Sequence, residues 1–164
     1  MSNEGDTQIS ELEREIIDFF VNAATAFGIP KSVGEVYGIF FTSEEPLALD
    51  DVTQKLQISK GSASQGIRFL KSINALNSVY LTGDRRDHYT AETKLRDITD
   101  GFIKERIRPQ LQSSSERLKI LKNTKKSKHL TSQLNTLESW TKKGKLVLPF
   151  VSKFLGSNEP QKII

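Results

Sequence analysis

Two short segments with helical patterning, residues 50–56 and 60–73, are joined by only three residues, the last of which is Ser59. A connection of this length is typical of a helix-turn-helix, in which the second helix turns one side to solvent and anchors the other in the core. Asp50 and Ser59 are residue types that favour the position just before a helix, and we predict that they cap the two helices. This pair of helices constrains the fold more than any other feature of the sequence.

The second helix of the pair has two chemically different sides. Its apolar side carries residues at the spacing of one helix face, namely Ala63, Ile67, Leu70 and Ile73. The opposite side carries the residues that we predict to contact DNA, namely Lys60, Ser62, Ser64, Gln65, Arg68 and Lys71. Glutamine and arginine can pair with base edges, and a lysine in the first helical turn suits a phosphate. Gly61 and Gly66 would keep the helix slim enough to approach a groove wall, whereas the alternative is an ordinary solvated face.

A short hairpin follows the helix pair. Residues 79–81 and 88–91 have the pattern of two strands, and the turn between them contains Arg85 and Arg86 with an aspartate on either side. A purely structural turn gains nothing from adjacent arginines, whereas a wing that reaches the minor groove or flanking phosphates needs them. Either aspartate would hold an arginine in a fixed pose by a charge-assisted bond. We therefore predict DNA contacts from both arginines, with a merely solvated turn as the alternative.

Helical patterning also precedes the helix pair. A first helix carries apolar residues at spacings of three and four, namely Leu12, Ile16, Phe19 or Phe20, Ala23 and Phe27. Gly28 is suited to a left-handed conformation that ends this helix. A second helix over residues 31–41 has Gly34 and Gly38 one turn apart, which allows another backbone to approach closely or else weakens the helix. Residues 47–49 are predicted to form a short extended stretch.

After Thr93 the pattern is helical to the end. Pro109 is expected to kink or interrupt the first of these helices, and Pro149 to interrupt the last. The full order is then helix, helix, strand, helix, tight turn, helix and hairpin, which is that of a winged helix-turn-helix. The predicted fold is mainly α with a small β-hairpin wing and terminal dimerisation helices. Its predicted parts are an N-terminal helix (1–28), a DNA-binding domain (29–92) and a C-terminal helical region (93–164).

The terminal helices have apolar faces that a winged domain does not need. A symmetric homodimer is the commonest way to bury such faces, although they could instead pack on their own winged domain. In a homodimer, two recognition helices about one DNA turn (~34 Å) apart would read a pseudo-palindromic operator.

The composition excludes several other classes. The net charge of +4 and pI of about 9.3 are only weak evidence for a polyanionic partner. The chain has no cysteine and only two histidines, with no histidine–carboxylate cluster at ligand spacing, so we predict no metal site, no cofactor and no enzymatic activity. No apolar run approaches the ~20 residues of a membrane span, and the polar, acidic N-terminus lacks the pattern of a secretory signal. A cytoplasmic location without membrane association is predicted.

Aromatic residues offer a second kind of site. Tyr37, Phe40, Phe41, Phe102 and Trp140 could line an effector pocket between the dimer helices and the winged domain. Among them, Tyr37, Phe41 and Trp140 are the ligand-binding residues that we predict. The alternative is that these rings are ordinary core.

The sequence resembles the GbsR-type branch of the MarR transcription regulators. The resemblance runs from about Phe19 to Glu92, roughly half the chain, and rests on PKSVG (30–34), YG (37–38), PLALDDV (46–52), SKGSAS (59–64) and GDRRD (83–87). It implies a homodimeric winged regulator whose DNA binding a small ligand modulates. It assigns recognition to Ser62, Ser64, Gln65 and Arg68, and wing contacts to Arg85 and Arg86. Asn74 stands where relatives commonly carry glycine, and asparagine also tolerates a left-handed conformation.

The function that we predict from these features is sequence-specific DNA binding by a transcriptional regulator, more specifically a repressor. The alternative is a winged-helix module that binds other proteins and has no specific affinity for DNA.

Overall fold

The computed structural model describes residues 9–156, apart from the side chains at positions 152, 155 and 156. The elements in chain order are α1 (Glu11–Ala26), α2 (Lys31–Thr42), β1 (Leu47–Ala48), α3 (Leu49–Leu56), α4 (Lys60–Ser72), β2 (Leu76–Val79), β3 (His88–Ala91), α5 (Leu95–Phe102), a π-helical turn (Ile103–Ile107), α6 (Arg108–Lys122) and α7 (Lys128–Gly156). They fall into two compact units, whose described parts are residues 9–93 and 94–156. The predicted class, mainly helical with a small β-hairpin, is confirmed.

Helices α1 and α2 pack closely in the first unit because glycines on α2 face the α1 backbone. A Cβ added at Gly34 would lie 2.6 Å from the carbonyl oxygen of Phe20, and one at Gly38 would lie 2.8 Å from the Cα of Ile17. The predicted close backbone approach is therefore confirmed. Gly28 ends α1 with a φ of 68°, in the left-handed conformation predicted for it.

The core of the first unit lies between α2 and the helix-turn-helix. Val36 and Ile39 of α2 and Val52 of α3 are almost completely buried. The predicted apolar side of α4 is confirmed, because Ala63, Ile67, Leu70 and Ile73 are all buried. Gln57 adopts a left-handed φ of 53° at the end of α3, and this residue carries the chain into the turn before α4.

The sheet has three antiparallel strands in the order β1-β3-β2, so the returning strand of the hairpin lies in the middle. His88 in β3 is opposite Ala48 of β1 on one side and Val79 of β2 on the other. The expected position of β2 at residues 79–81 is wrong: the strand is Leu76–Val79, and Tyr80 is 86% exposed beyond it. The strand begins earlier because Leu76 is buried beside the left-handed Asn74 that ends α4.

Two further expectations about the first unit are wrong. Asp50 does not cap α3: Ala48 precedes the helix, and its N–H donates to the Asp51 Oδ2 at 2.8 Å. Gly66 does not slim the outer side of α4, because it is buried, and an added Cβ would lie 2.9 Å from Val36 Cγ2. Its small size serves the packing of α4 on α2.

The second unit is helical. Pro109 lies in the first turn of α6, directly after the π-helical turn, so the predicted interruption is confirmed. In a regular α-helix, the proline ring would clash with the backbone carbonyl group four residues earlier. The wider π-helical turn before Pro109 removes that clash. The expected interruption at Pro149 is wrong, because α7 runs through it from Lys128 to Gly156.

Candidate DNA-binding surface

Helix α4 begins at the predicted cap and turns its polar side to solvent. The Ser59 hydroxyl accepts the backbone N–H of Ser62 at 3.1 Å, which satisfies one of the free donors at the helix start. Lys60, Gln65, Arg68 and Lys71 are exposed, and Ser62 and Ser64 are partly exposed. The sequence thus predicted correctly which side of α4 is accessible, because one helix face was fully apolar.

A cleft of about 420 Å³ lies between α4 and the wing. It is lined by one set of residues from both elements and from the start of α3, namely Ala48, Leu49, Asp50, Lys60, Ser64, Ile67, Arg68, Lys71, Arg86, Asp87 and Tyr89. Five of the residues predicted to contact DNA are therefore brought together in one concavity. Ser62, Gln65 and Arg85 do not line it; the first two lie on the same helix, and Arg85 is exposed in the turn of the hairpin.

Two cations of the cleft, Lys60 and Arg68, have only weak partners. Lys60 Nζ lies 3.1 Å from Asp50 Oδ1, and both side chains are largely exposed. Arg68 donates to the Ser64 hydroxyl at 3.3 Å along the helix. Exposed pairs of this kind contribute little to stability, so these cations can exchange their partners for an incoming anion at small cost.

Lys71 is placed by an aromatic ring that the sequence did not indicate. Its ammonium lies 4.7 Å from the ring centroid of Tyr89 on the central strand. This cation–π contact fixes the charge at the cleft without neutralising it. The residues lie 18 positions apart, and their contact follows from strand pairing, which local patterning does not reveal.

The wing carries a bidentate ion pair. Arg86 donates to the Asp84 carboxylate through its side chain, with Nη2 to Oδ2 at 2.7 Å, and through its backbone N–H at 2.9 Å. The side-chain hydrogen bond, followed by the backbone one, lowers the pKa of Asp84 to about 2. The same side-chain hydrogen bond to Asp84, followed by the charge of the nearby Asp51, raises the pKa of Arg86. The predicted clamping of an arginine by a flanking aspartate is therefore confirmed for this pair.

Asp51 links the wing to α3. One of its oxygens accepts the Ala48 N–H at the start of the helix, and the other lies 3.3 Å from Arg86 Nη1. A single carboxylate thus both begins α3 and anchors the wing. Sequence reasoning missed this residue because Arg86 is 35 positions away.

His88 lies beneath the wing, on the strand where the sequence placed it. It is 2% exposed, with Nδ1 2.9 Å from the Arg86 carbonyl oxygen and Nε2 3.4 Å from Asp84 Oδ2. The imidazole therefore faces two oxygen atoms of the turn that carries the wing arginines.

The residues predicted for an effector pocket have different surroundings. Tyr37 is buried, and its hydroxyl donates to the Glu92 carbonyl oxygen at 2.6 Å, while its ring contacts that of Phe20. Phe41 is 42% exposed and also contacts Phe20. Trp140 is 64% exposed on α7 of the second unit. Burial, which disfavours the charged phenolate, and next the nearby Glu92 charge raise the pKa of Tyr37 to about 12.

Residues 9–156 contain no group of three or more histidine, cysteine, aspartate or glutamate residues placed to hold a metal ion. Nor is any helix in this part of the chain both long and apolar enough to cross a lipid bilayer.

The helix-turn-helix followed by a hairpin on a three-stranded sheet defines a winged helix-turn-helix. A crystal structure described as that of a transcriptional regulator has this fold, with a TM-score of 0.68 over 89% of this chain and 99% of that one, at 15% sequence identity. No family model matches the sequence.

Sequence relatives give a narrower result. The chain is 31% identical over 97 residues to the putative HTH-type transcriptional regulator YvaV of Bacillus subtilis, covering 59% of this chain and 53% of the relative. It is 32% identical over 77 residues to the HTH-type transcriptional repressor GbsR and 30% identical over 95 residues to the repressor OpcR, both of Bacillus subtilis. These matches cover 47% and 58% of this chain and 42% and 50% of the relatives. The chain spans about half the length of these curated relatives, and the predicted resemblance to GbsR-type regulators is confirmed.

Proposed function

We propose that this chain is a sequence-specific DNA-binding transcriptional repressor that acts as a homodimer. The observation that carries the proposal is the cleft in which Lys60, Arg68 and Lys71 of α4 face Arg86 of the wing. Two relatives are named as HTH-type transcriptional repressors, which supports the direction of regulation. This function implies a cytoplasmic location.

The surface divides into residues for bases and residues for phosphates. Helix α4 would enter the major groove, where Gln65 and Arg68 offer the donor and acceptor pairs that distinguish bases. Lys60 and Lys71 at the two ends of the helix suit the flanking phosphates. Arg85 would reach the backbone or the minor groove next to the site.

A homodimer would explain apolar surface that each unit leaves exposed. On α1, Leu12 and Phe19 are 71% and 67% exposed, and Phe27 directly after it is 77% exposed; on α7, Leu146 and Phe150 are 68% and 66% exposed. Large exposed apolar side chains on helix faces are typical of subunit interfaces. A symmetric pair would also supply two α4 helices for the two halves of a pseudo-palindromic operator.

Regulation by a small molecule stays a prediction. The Tyr37 hydroxyl already has a hydrogen-bond partner in the core of the first unit. Of the three residues predicted to bind a ligand, Phe41 and Trp140 are the two with exposed rings. Trp140 is the only tryptophan of the chain, and its fluorescence would report a ligand nearby.

The proposal is tested by selecting bound fragments from genomic DNA and then measuring affinity by fluorescence anisotropy. Arg68→Ala should weaken binding to the selected site by about 1–3 kcal/mol and relax base preference at one position. Arg117→Ala removes an exposed arginine from α6 and serves as the matched control, which should bind as the wild type does.

Equal affinity for selected and random duplexes would contradict sequence-specific binding. Equal losses in the two variants would contradict the placement of the site on α4. Absence of duplex binding at physiological salt would leave a protein-binding winged helix as the better explanation.

A further inference from the structure

Four side chains form what we call the wing cluster: Asp51 of α3, Asp84 and Arg86 of the hairpin turn, and His88 of β3. Arg86 is bonded to both aspartates, and the His88 imidazole is packed under the same turn. The other charged groups near the cluster are Arg85 of the same turn and the charged residues that line the cleft, namely Asp50, Lys60, Arg68, Lys71 and Asp87. The strand neighbours of His88 are Ala48 and Val79, which carry no charge.

The His88 imidazole lies between two hydrogen-bond acceptors, one on each ring nitrogen. Nδ1 faces the Arg86 carbonyl oxygen at 2.9 Å, and Nε2 faces the Asp84 carboxylate at 3.4 Å. Both neighbours are acceptors. A neutral ring can donate from one nitrogen only and would direct the other lone pair at an oxygen, whereas the imidazolium donates from both.

Protonation also changes the charge next to the cleft. With a neutral imidazole, the two carboxylates and one guanidinium of the wing cluster sum to one negative charge. With the imidazolium the sum is zero. Because Arg86 lines the cleft, a polyanion there meets one more positive charge in the second state than in the first.

We propose that His88 is a proton-dependent positioning residue of the wing, which fixes Asp84 and Arg86 when protonated and thereby strengthens DNA binding as the pH falls. This inference rests on the proposed function. By linkage, a bound polyanion in turn favours uptake of the proton, and each protomer can change the affinity by up to about tenfold per pH unit.

The test combines a pH profile with variants of the two histidines in the sequence. Affinity for the selected duplex is measured by anisotropy between pH 6 and pH 8 at constant ionic strength. Wild-type affinity should fall several-fold as the pH rises. His88→Gln keeps a neutral donor at all pH values, so it should match the wild type near pH 8 and show no rise near pH 6.

His129→Gln is the matched control, because His129 is exposed on α7. It should retain the wild-type profile. A loss of affinity in His88→Gln that is the same at every pH would mean a structural role only and would overturn the proposal. So would a wild-type profile that does not depend on pH.

A second measurement separates this inference from the proposed function. Nitrogen-15 NMR of the DNA-free protein at pH 6 should show protons on both ring nitrogens of His88. A singly protonated ring refutes the inference while leaving DNA binding intact. Failure to bind any duplex, at any pH, overturns both proposals, whatever the state of the ring.

Discussion

Replacing Gly34 by alanine should destabilise the first unit, although helix propensity alone predicts the opposite. Alanine is favoured over glycine inside a helix by up to about 1 kcal/mol. At Gly34, however, the new Cβ would lie 2.6 Å from the Phe20 carbonyl oxygen and 2.7 Å from the Val21 Cα. Both atoms belong to the α1 backbone, so no side chain can rotate to make room.

The magnitude follows from the distance by which the helices must separate. Carbon atoms pack best at about 3.5–4.0 Å, so α1 would have to move by nearly 1 Å along its contact with α2. Overpacking of this kind costs about 1–3 kcal/mol, which exceeds the gain in propensity. Taking the middle of that range less the gain in propensity, we expect a net destabilisation of about 1 kcal/mol.

Gly61→Ala provides the control, because an added Cβ there has its nearest neighbour, Ser59 Oγ, at 4.0 Å. This variant should be more stable than the wild type by about 0.5–1 kcal/mol. Urea unfolding at one fixed protein concentration measures both. If Gly34→Ala proved as stable as the wild type with an unchanged m-value, the close packing of α1 on α2 would be wrong.

Three further outcomes are expected. Arg85→Ala should reduce the slope of log K against log salt by about one unit, and adding Arg86→Ala should bring the reduction to at most about two, for all DNA sequences; an unchanged slope in the double variant would remove the wing from the interface. The pKa of Tyr37 is raised to about 12 in the folded state, so its contribution to stability is complete below pH 10 and is lost as the pH rises towards 12. Unfolding by urea at pH 9 and pH 11.5 should show a loss that is smaller in Tyr37→Phe, and an equal loss would contradict the buried hydroxyl. Phe19→Glu should shift the sedimentation of the protein towards the monomer, because that ring is 67% exposed on the proposed interface; an unaltered dimer would exclude α1 from it.

The recognition helix could be predicted in detail because its signals are local. Ser59 caps α4, and Ala63, Ile67 and Leu70 mark the buried face, so the opposite face had to be exposed. Asn74 was equally clear, because few residue types tolerate its left-handed φ of 58°.

Features that depend on distant partners could not be predicted. Asp50 and Asp51 are both residue types that favour a helix start, so the sequence alone does not show which carboxylate accepts the backbone N–H there. Only the position of Ala48 in β1 decides for Asp51. The purpose of Gly66 was misjudged because its neighbour, Val36, lies 30 positions away on α2. DNA contacts of the individual side chains stay predictions, supported by the cleft they share.

The π-helical turn at Ile103–Ile107 limits how the length of the second unit can vary. Such a turn is an α-helix with one additional residue, and that residue rotates every later side chain by about 100° around the axis. Deleting Lys104 would restore ordinary α-helical winding and turn Leu118, now buried, away from its present direction. We therefore expect homologous chains to keep the same number of residues in this turn and a proline at the position of Pro109, even where the other amino acids of the turn differ.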